Sequence, residues 1–192
     1  MILDAAREMF VAEGYEAVTM RRIAEKIEYS PTAIYFHFKD KDALIHELCD
    51  TDFGKLAHEF GPIARIGDPI ERLRRVGHVY ADFGLRNPNH YRLMFMTPHP
   101  PYDVADSRLQ QGNPEEDAYA FVKQIVVEAI AKGRLRRDLK DPELVSQTVW
   151  AAVHGVISLQ IAKRNDGWIE WAPLKKRVDL MIDAVIRGIE KD

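Results

Sequence analysis

Apolar residues in this chain recur at intervals of three and four. Ile70, Leu73, Val76, Tyr80 and Phe83 fall on one stripe, as do Leu174, Val178, Met181, Ile182, Val185 and Ile189. That spacing predicts amphipathic helices, and no segment sustains the alternating apolar and polar positions of a half-buried strand. A second pattern marks where helices begin: Ser30-Pro31, Asp68-Pro69, Asn87-Pro88, Asn113-Pro114 and Asp141-Pro142 each set an oxygen-bearing side chain before proline. Such a side chain can accept from orphan helix amides, and proline at the first helical position loses no useful donor. Stops are expected at Gly14, Glu28-Tyr29, Gly61-Pro62, Gly133 and across 165–167. The prediction is an all-α chain of about nine helices. Residues 97–113, with Pro98, Pro100, Pro101 and Gly112, form its longest loop.

The first 40 residues hold three short helical segments, whose apolar residues Ala6, Met9, Phe10, Val18, Ile23, Ala24, Ile27, Ile34 and Phe38 suit a small shared core. Thr19 opens one segment, a turn of about three residues follows, and another runs from Pro31 to about His37, which is helix-turn-helix spacing. Between residues 19 and 41, Arg21, Arg22, Lys26, Lys39 and Lys41 face three acidic residues, Glu25, Glu28 and Asp40. The local charge of +2 contrasts with −3 for the whole chain. Phosphates are met by cations, hydroxyls and helix N-termini, all present here, although ordinary surface charges on a solvated helix would give the same count.

Thr19-Met20-Arg21-Arg22-Ile23-Ala24, followed by Ser30-Pro31-Thr32-Ala33-Ile34-Tyr35-Phe36-His37-Phe38-Lys39-Asp40-Lys41, resembles the DNA-binding head of the TetR family of transcriptional regulators. The likeness covers residues 2–48 and implies a helix-turn-helix domain over 1–48 and a ligand-binding and dimerisation body over 49–192. It implies a homodimer on a near-palindromic double-stranded DNA operator, most simply a repressor released by a small-molecule effector. By position, Thr19 corresponds to the cap that meets a phosphate and Arg21 to a side chain that reaches a base edge. Pro31, Thr32 and Ala33 face the groove, where proline and methyl groups can touch thymine methyls. Tyr35, His37 and Lys41 match backbone-contacting positions; the other reading of Tyr35 and His37 packs them beneath the recognition helix.

Two features depart from the family pattern. Glu28 stands where the turn usually carries glycine, so a residue with a Cβ is expected in a left-handed conformation at a cost of about 1 kcal/mol. The chain also begins almost at its first helix, so it either has no minor-groove arm or is a trimmed form.

In the body, Leu144, Val145, Val149, Trp150, Val153, Val156, Ile157 and Ile161 make a helix that is apolar nearly all round, as expected of one buried on two faces. With the final amphipathic helix it would build a symmetric dimer contact, through residues near 142–163 and 173–190; the other reading has both helices closing the monomer's own core. Trp150, His154 and Gly155 resemble the Trp-x-x-x-His-Gly signature of one subgroup of these regulators. Trp150 and His154 share a helical face, and with Phe83, Tyr91, Met94 and Phe95 they could line an apolar effector cavity or belong to a packed core.

Composition narrows the alternatives. The net charge of −3 argues against a nonspecific nucleic-acid binder. One cysteine, Cys49, builds no intrachain disulfide. With no leader pattern and no run of about 18 consecutive apolar residues, a cytoplasmic location is expected. His46 and Cys49 share a helical face but His58 lies too far along it to join them, so no metal site and no cofactor are expected. No catalytic spacing, phosphate loop or zinc signature supports an enzyme. The rival reading is a helical ligand-binding or adaptor protein without operator binding.

Overall fold

A computed structural model describes residues 1–100 and 104–191. Among them lie nine α-helices: α1 (Ile2–Glu13), α2 (Met20–Lys26), α3 (Pro31–His37), α4 (Lys41–Phe60), α5 (Pro69–Arg86), α6 (Pro88–Phe95), α7 (Ala118–Ala131), α8 (Pro142–Lys163) and α9 (Leu174–Ile189). A short 3-10 turn at Gly61–Arg65 follows α4, another occupies Val104–Asp106, and the described residues contain no strand beyond one isolated β-bridge. The chain divides into two compact units, residues 1–55 with 87–110 and residues 56–86 with 111–192.

The first unit contains the expected head motif and, in addition, α6 and the segment after it. Gly14 closes α1 at φ 83°, Thr19 caps α2, and Ser30 caps α3 by accepting from the Ala33 amide at 3.2 Å. The turn between α2 and α3 holds Glu28 at φ 59°, the left-handed conformation expected there. Phe10, Ile23, Ile34, Leu44, Ile45 and Leu48 are fully buried, and Leu93 of α6 joins their core.

Beside that core sits an ion pair that the sequence did not disclose. Arg7 donates from Nε and Nη2 to the two Asp52 oxygens at 3.1 and 2.9 Å, with side-chain exposures of 5% and 0%. His90 Nδ1 lies 2.8 Å from the same carboxylate, so α1, α4 and α6 meet at one group. The segment after residue 104 folds back on α4, where buried Asp50 accepts from Ser107 Oγ at 2.7 Å and the Arg108 amide at 2.8 Å. Of the loop prolines, Pro101 lies outside the described residues.

The second unit packs α5, α7, α8 and α9 around Phe60, Phe83, Ile125, Val126, Ile157 and Ile182. Gly77 lets α5 close on α9: a Cβ there would stand 3.0 Å from Ile182 Cδ1. Asp68 accepts from the Ile70 amide, and Asp141 from those of Glu143 and Leu144, as their prolines suggested.

Asn87-Pro88 opens α6 as predicted, and one predicted start, at Asn113-Pro114, differs. Asn87 makes no side-chain cap to α6. Asn113-Pro114 opens a turn, in which Asn113 Oδ1 accepts from the Glu115 amide, and α7 begins at Ala118 under an Asp117 cap. Asp117 supplies two capping bonds, to Tyr119 and Ala120, and so outcompetes the earlier site.

The stretch from Lys132 to Lys140 is tied into the second unit. Leu135 is buried and bridges to Glu190, while Arg134 binds Asp68 at 2.9 Å and Glu190 at 3.2 Å.

Candidate functional site

The outer surface of α2 and α3 is built by capping and by a single inward residue. Ile34 is completely buried, which fixes the rotation of the seven-residue helix α3. Residues 32, 35 and 36, three and four positions apart, therefore share the opposite side. Pro31 and Thr32 are exposed and Ala33 is half-buried. Tyr35 is 53% exposed. His37 is exposed between the rings of Phe36 and Phe38, with centroids 5.4 and 6.5 Å away.

Phe36, which the sequence reading left unassigned, is 87% exposed. Its signal was present: it stands two positions from Ile34, about 200° around the helix, where a packing role is unavailable. A phenyl ring offers no hydrogen bond, so any contact it makes from such a face is apolar.

The cations of this region are held by the protein's own acceptors. Thr19 Oγ1 accepts from the Arg22 amide at 3.2 Å, leaving its hydroxyl proton available to an external acceptor. Arg21 pairs with Glu25 at 3.0 Å, Arg22 with Glu13 at 2.6 Å and Lys26 with Glu8 at 2.7 Å. Exposed pairs of this kind contribute at most about 1 kcal/mol, so a phosphate can replace the carboxylate.

Lys41 differs from the others. It is half-buried, donates to the Tyr15 carbonyl at 2.8 Å and lies 4.0 Å above the Tyr15 ring, while the Tyr15 hydroxyl bonds Asp42. That geometry makes it a strut between the end of α1 and the start of α4.

The six residues expected around an effector fall into two sets. In the first unit Tyr91 and Met94 are buried, and Phe95 is half-buried against Tyr91 and Phe53, with centroids 4.9 and 5.5 Å away. In the second unit Phe83 is buried while Trp150 and His154 join a polar chain through Tyr80. Trp150 Nε1 donates to the Tyr80 hydroxyl oxygen at 3.1 Å, and that oxygen lies 3.2 Å from His154 Nδ1. Indole only donates, so the Tyr80 oxygen accepts from Trp150. Burial holds His154 below its ordinary pKa, which favours the neutral imidazole. Trp150 also packs on Tyr119, whose hydroxyl donates to Glu143, and Glu143 takes a further bond from Lys123. The Lys123 bond, with that of Tyr119, holds the Glu143 carboxyl below its usual value. Tyr80, the centre of the chain, was read from the sequence only as part of a buried stripe.

Gly155 does not serve close packing within the chain, because a Cβ there would meet nothing within 4 Å. It lies on a stripe of α8 that faces outward, with Leu144 and Leu159 exposed at 59% and 50% and Ala151 between them. On α9, Leu180 is 70% exposed. By length and composition α8 could cross a bilayer, although polar residues interrupt every apolar run, and only 28% of its most apolar window is buried in this chain.

Cys49 is buried, which pushes its thiol up to about 12, and its sulfur lies 3.8 Å from His99 Nε2. Among the described residues no group of three histidine, cysteine or acidic side chains could hold a metal ion.

Comparison with known proteins agrees in both parts of the chain. Residues 2–48 match the family described as bacterial regulatory proteins, tetR family, and residues 73–185 match the tetracyclin repressor-like C-terminal domain. The HTH-type transcriptional repressor AcnR of Corynebacterium jeikeium is 29% identical over 164 residues, covering 85% of this chain and 81% of that protein. An HTH-type transcriptional repressor of Mycobacterium tuberculosis is 45% identical over 56 residues, which span 29% of this chain and only 30% of its relative. Among solved structures, the TetR family regulator PfmR of Thermus thermophilus superposes with a TM-score of 0.74 at 20% identity, over 100% of this chain and 96% of its own. The fatty acid degradation regulator FadR of Bacillus halodurans gives 0.75 at 16%, over 96% and 92%. At these identities the structural likeness is one of fold.

Proposed function

Because the chain belongs to the TetR family of bacterial regulatory proteins, and is thus a transcriptional regulator and not an enzyme, we propose that it is a repressor whose two copies hold a near-palindromic DNA operator until a small molecule releases them. The observation that carries the DNA half is the face of α3, where buried Ile34 orients exposed Thr32, Tyr35 and Phe36 together. Arg21, Thr19 and His37 flank that face as phosphate or base-edge partners, and Pro31 and Ala33 present apolar surface to the groove. In this reading Lys41 positions the head through Tyr15 and leaves phosphate contact to its neighbours.

Dimerisation is assigned to the outward stripes of α8 and α9. Leu144, Leu159 and Leu180 supply apolar area there, and Ala151 and Gly155 allow a partner helix to approach closely. The effector reading places an apolar ligand with one or two polar atoms among Phe83, Trp150 and His154, and a second aromatic set at Tyr91, Met94 and Phe95. Its differential affinity for the two states of the dimer sets the response. Operator binding places the protein in the cytoplasm, with the chromosome.

The deciding experiment is capture of genomic fragments by the purified chain at two salt concentrations, followed by sequencing. A shared near-palindrome with half-sites about 34–36 Å apart, weakened by salt and lost in Tyr35→Ala and Arg21→Ala, is expected. No enriched sequence from a folded dimer would favour the ligand-binding or adaptor reading.

A further inference from the structure

The two tryptophans of the α8–α9 connection have opposite surroundings. Trp171 is half-buried, with the Arg177 guanidinium 4.8 Å from its ring centroid, and Arg177 also donates to the Ala172 carbonyl at 3.1 Å and to Gln160. Three residues earlier, Trp168 is 94% exposed, and Ile169 beside it is 46% exposed.

Trp168 stands on an organised turn. Asp166 Oδ1 accepts from the Trp168 amide at 3.0 Å, the Asp166 carboxylate lies 3.5 Å from Lys163 Nζ, and its own amide donates to the Lys163 carbonyl at 2.9 Å. The backbone is therefore fixed while the indole meets nothing. Tryptophan is highly buried on average, and when it stands out from a surface it is over-represented as an interface anchor.

We infer that Trp168 is an anchor for a second copy of this chain, extending the α8–α9 contact beyond the two helices. The inference rests on the dimeric reading above. Area and continuity choose this occupant. A stable interface removes about 800 Å² from each partner, and the outward stripes of the helices offer few large exposed apolar side chains, chiefly Leu144, Leu159 and Leu180. An indole adds about 200 Å², a quarter of the requirement. It does so from the segment that joins those same two helices, so both belong to one continuous surface. In a two-fold contact the gain occurs twice, since each copy inserts its own indole into the other.

The test uses the full chain and reads assembly and indole environment separately. Sedimentation equilibrium of wild type, Trp168→Phe and Trp168→Ala gives the dimer constants. Acrylamide quenching of wild type against Trp168→Phe isolates the Trp168 emission. A dimer weakened about tenfold or more in Trp168→Ala, partly restored by phenylalanine, and a Trp168 signal shielded in the dimer but quenched on dilution, are expected. A wild-type dimer in which Trp168 quenches like a free indole, or one that Trp168→Ala leaves within twofold, overturns the inference while the dimer stands. A wild type that stays monomeric at every concentration overturns the dimeric reading itself.

Discussion

The two units differ in the polar groups that join their elements and in the apolar residues they turn outward. In the first, the interior holds an ion pair, Arg7 with Asp52, and the surface carries cations already matched to carboxylates. In the second, buried Tyr80 joins the partly exposed Trp150 to His154, Arg72 pairs with Glu128, and the helices α8 and α9 turn leucine outward. A surface of exchangeable ion pairs suits a polyanion, because one anion replaces another. A surface of leucine, alanine and glycine suits apolar matter and close approach. In the proposed reading the first unit meets a polyanion and the second meets apolar partners.

The contrast can be broken most forcefully at Asp52. Asp52→Ala strips the carboxylate from a guanidinium that is 5% exposed, and also from His90; a loss of about 3–5 kcal/mol is expected in urea unfolding. A cost below 1 kcal/mol would put this pair on a level with the exposed ones. In the second unit, Tyr80→Phe removes the hydroxyl that bonds both Trp150 and His154 and should cost about 1–3 kcal/mol by the same measurement. A neutral result would show that apolar packing alone sustains this interior.

Glu28→Gly sharpens the picture at the outer face of α2 and α3. It relieves the left-handed backbone at φ 59° and should stabilise by about 1 kcal/mol. It also removes a negative charge, so fragment retention should rise at fixed salt.

The smallest effect is a slope with pH that both units share. Burial lowers the pKa of His46 in one unit and of His154 in the other. The unfolded chain then binds more protons than the folded one between the depressed folded values and about 6.5. Stability is therefore fully present above that pH and falls as the solution is acidified through the window. His154→Gln should flatten the slope of chemical unfolding stability against pH without abolishing it, because His46 remains.

Much of the fold was legible because it is written locally. Thr19, Ser30, Asp68 and Asp141 accept from amides two or three residues on, and such bonds follow from the order of residues alone. Glu28 was legible for the same reason. Asn113 misled because proline marks the start of a turn as readily as that of a helix, and the better cap, Asp117, came four residues later without one. What stayed hidden joins distant positions: Arg7 to Asp52, and Tyr80 to Trp150 and His154. Phe36 was missed because the motif that names its neighbours drew attention to tyrosine and histidine.

The bridge between Leu135 and Glu190, together with the bond from the Lys191 amide to the Arg134 carbonyl, has a consequence for how the chain is made. The first unit is built from residues up to 110, whereas in the second residues near 190 are tied to Arg134. At about 5–20 residues per second of synthesis, residues 111–192 occupy several seconds. For that interval a finished head would be tethered to the ribosome while α5 waits, amphipathic and uncovered, for the helices that bury it. The bridge thus delays closure of the second unit until residues near 190 have been made, and a chain cut short of Glu190 is the form that chaperones should hold longest.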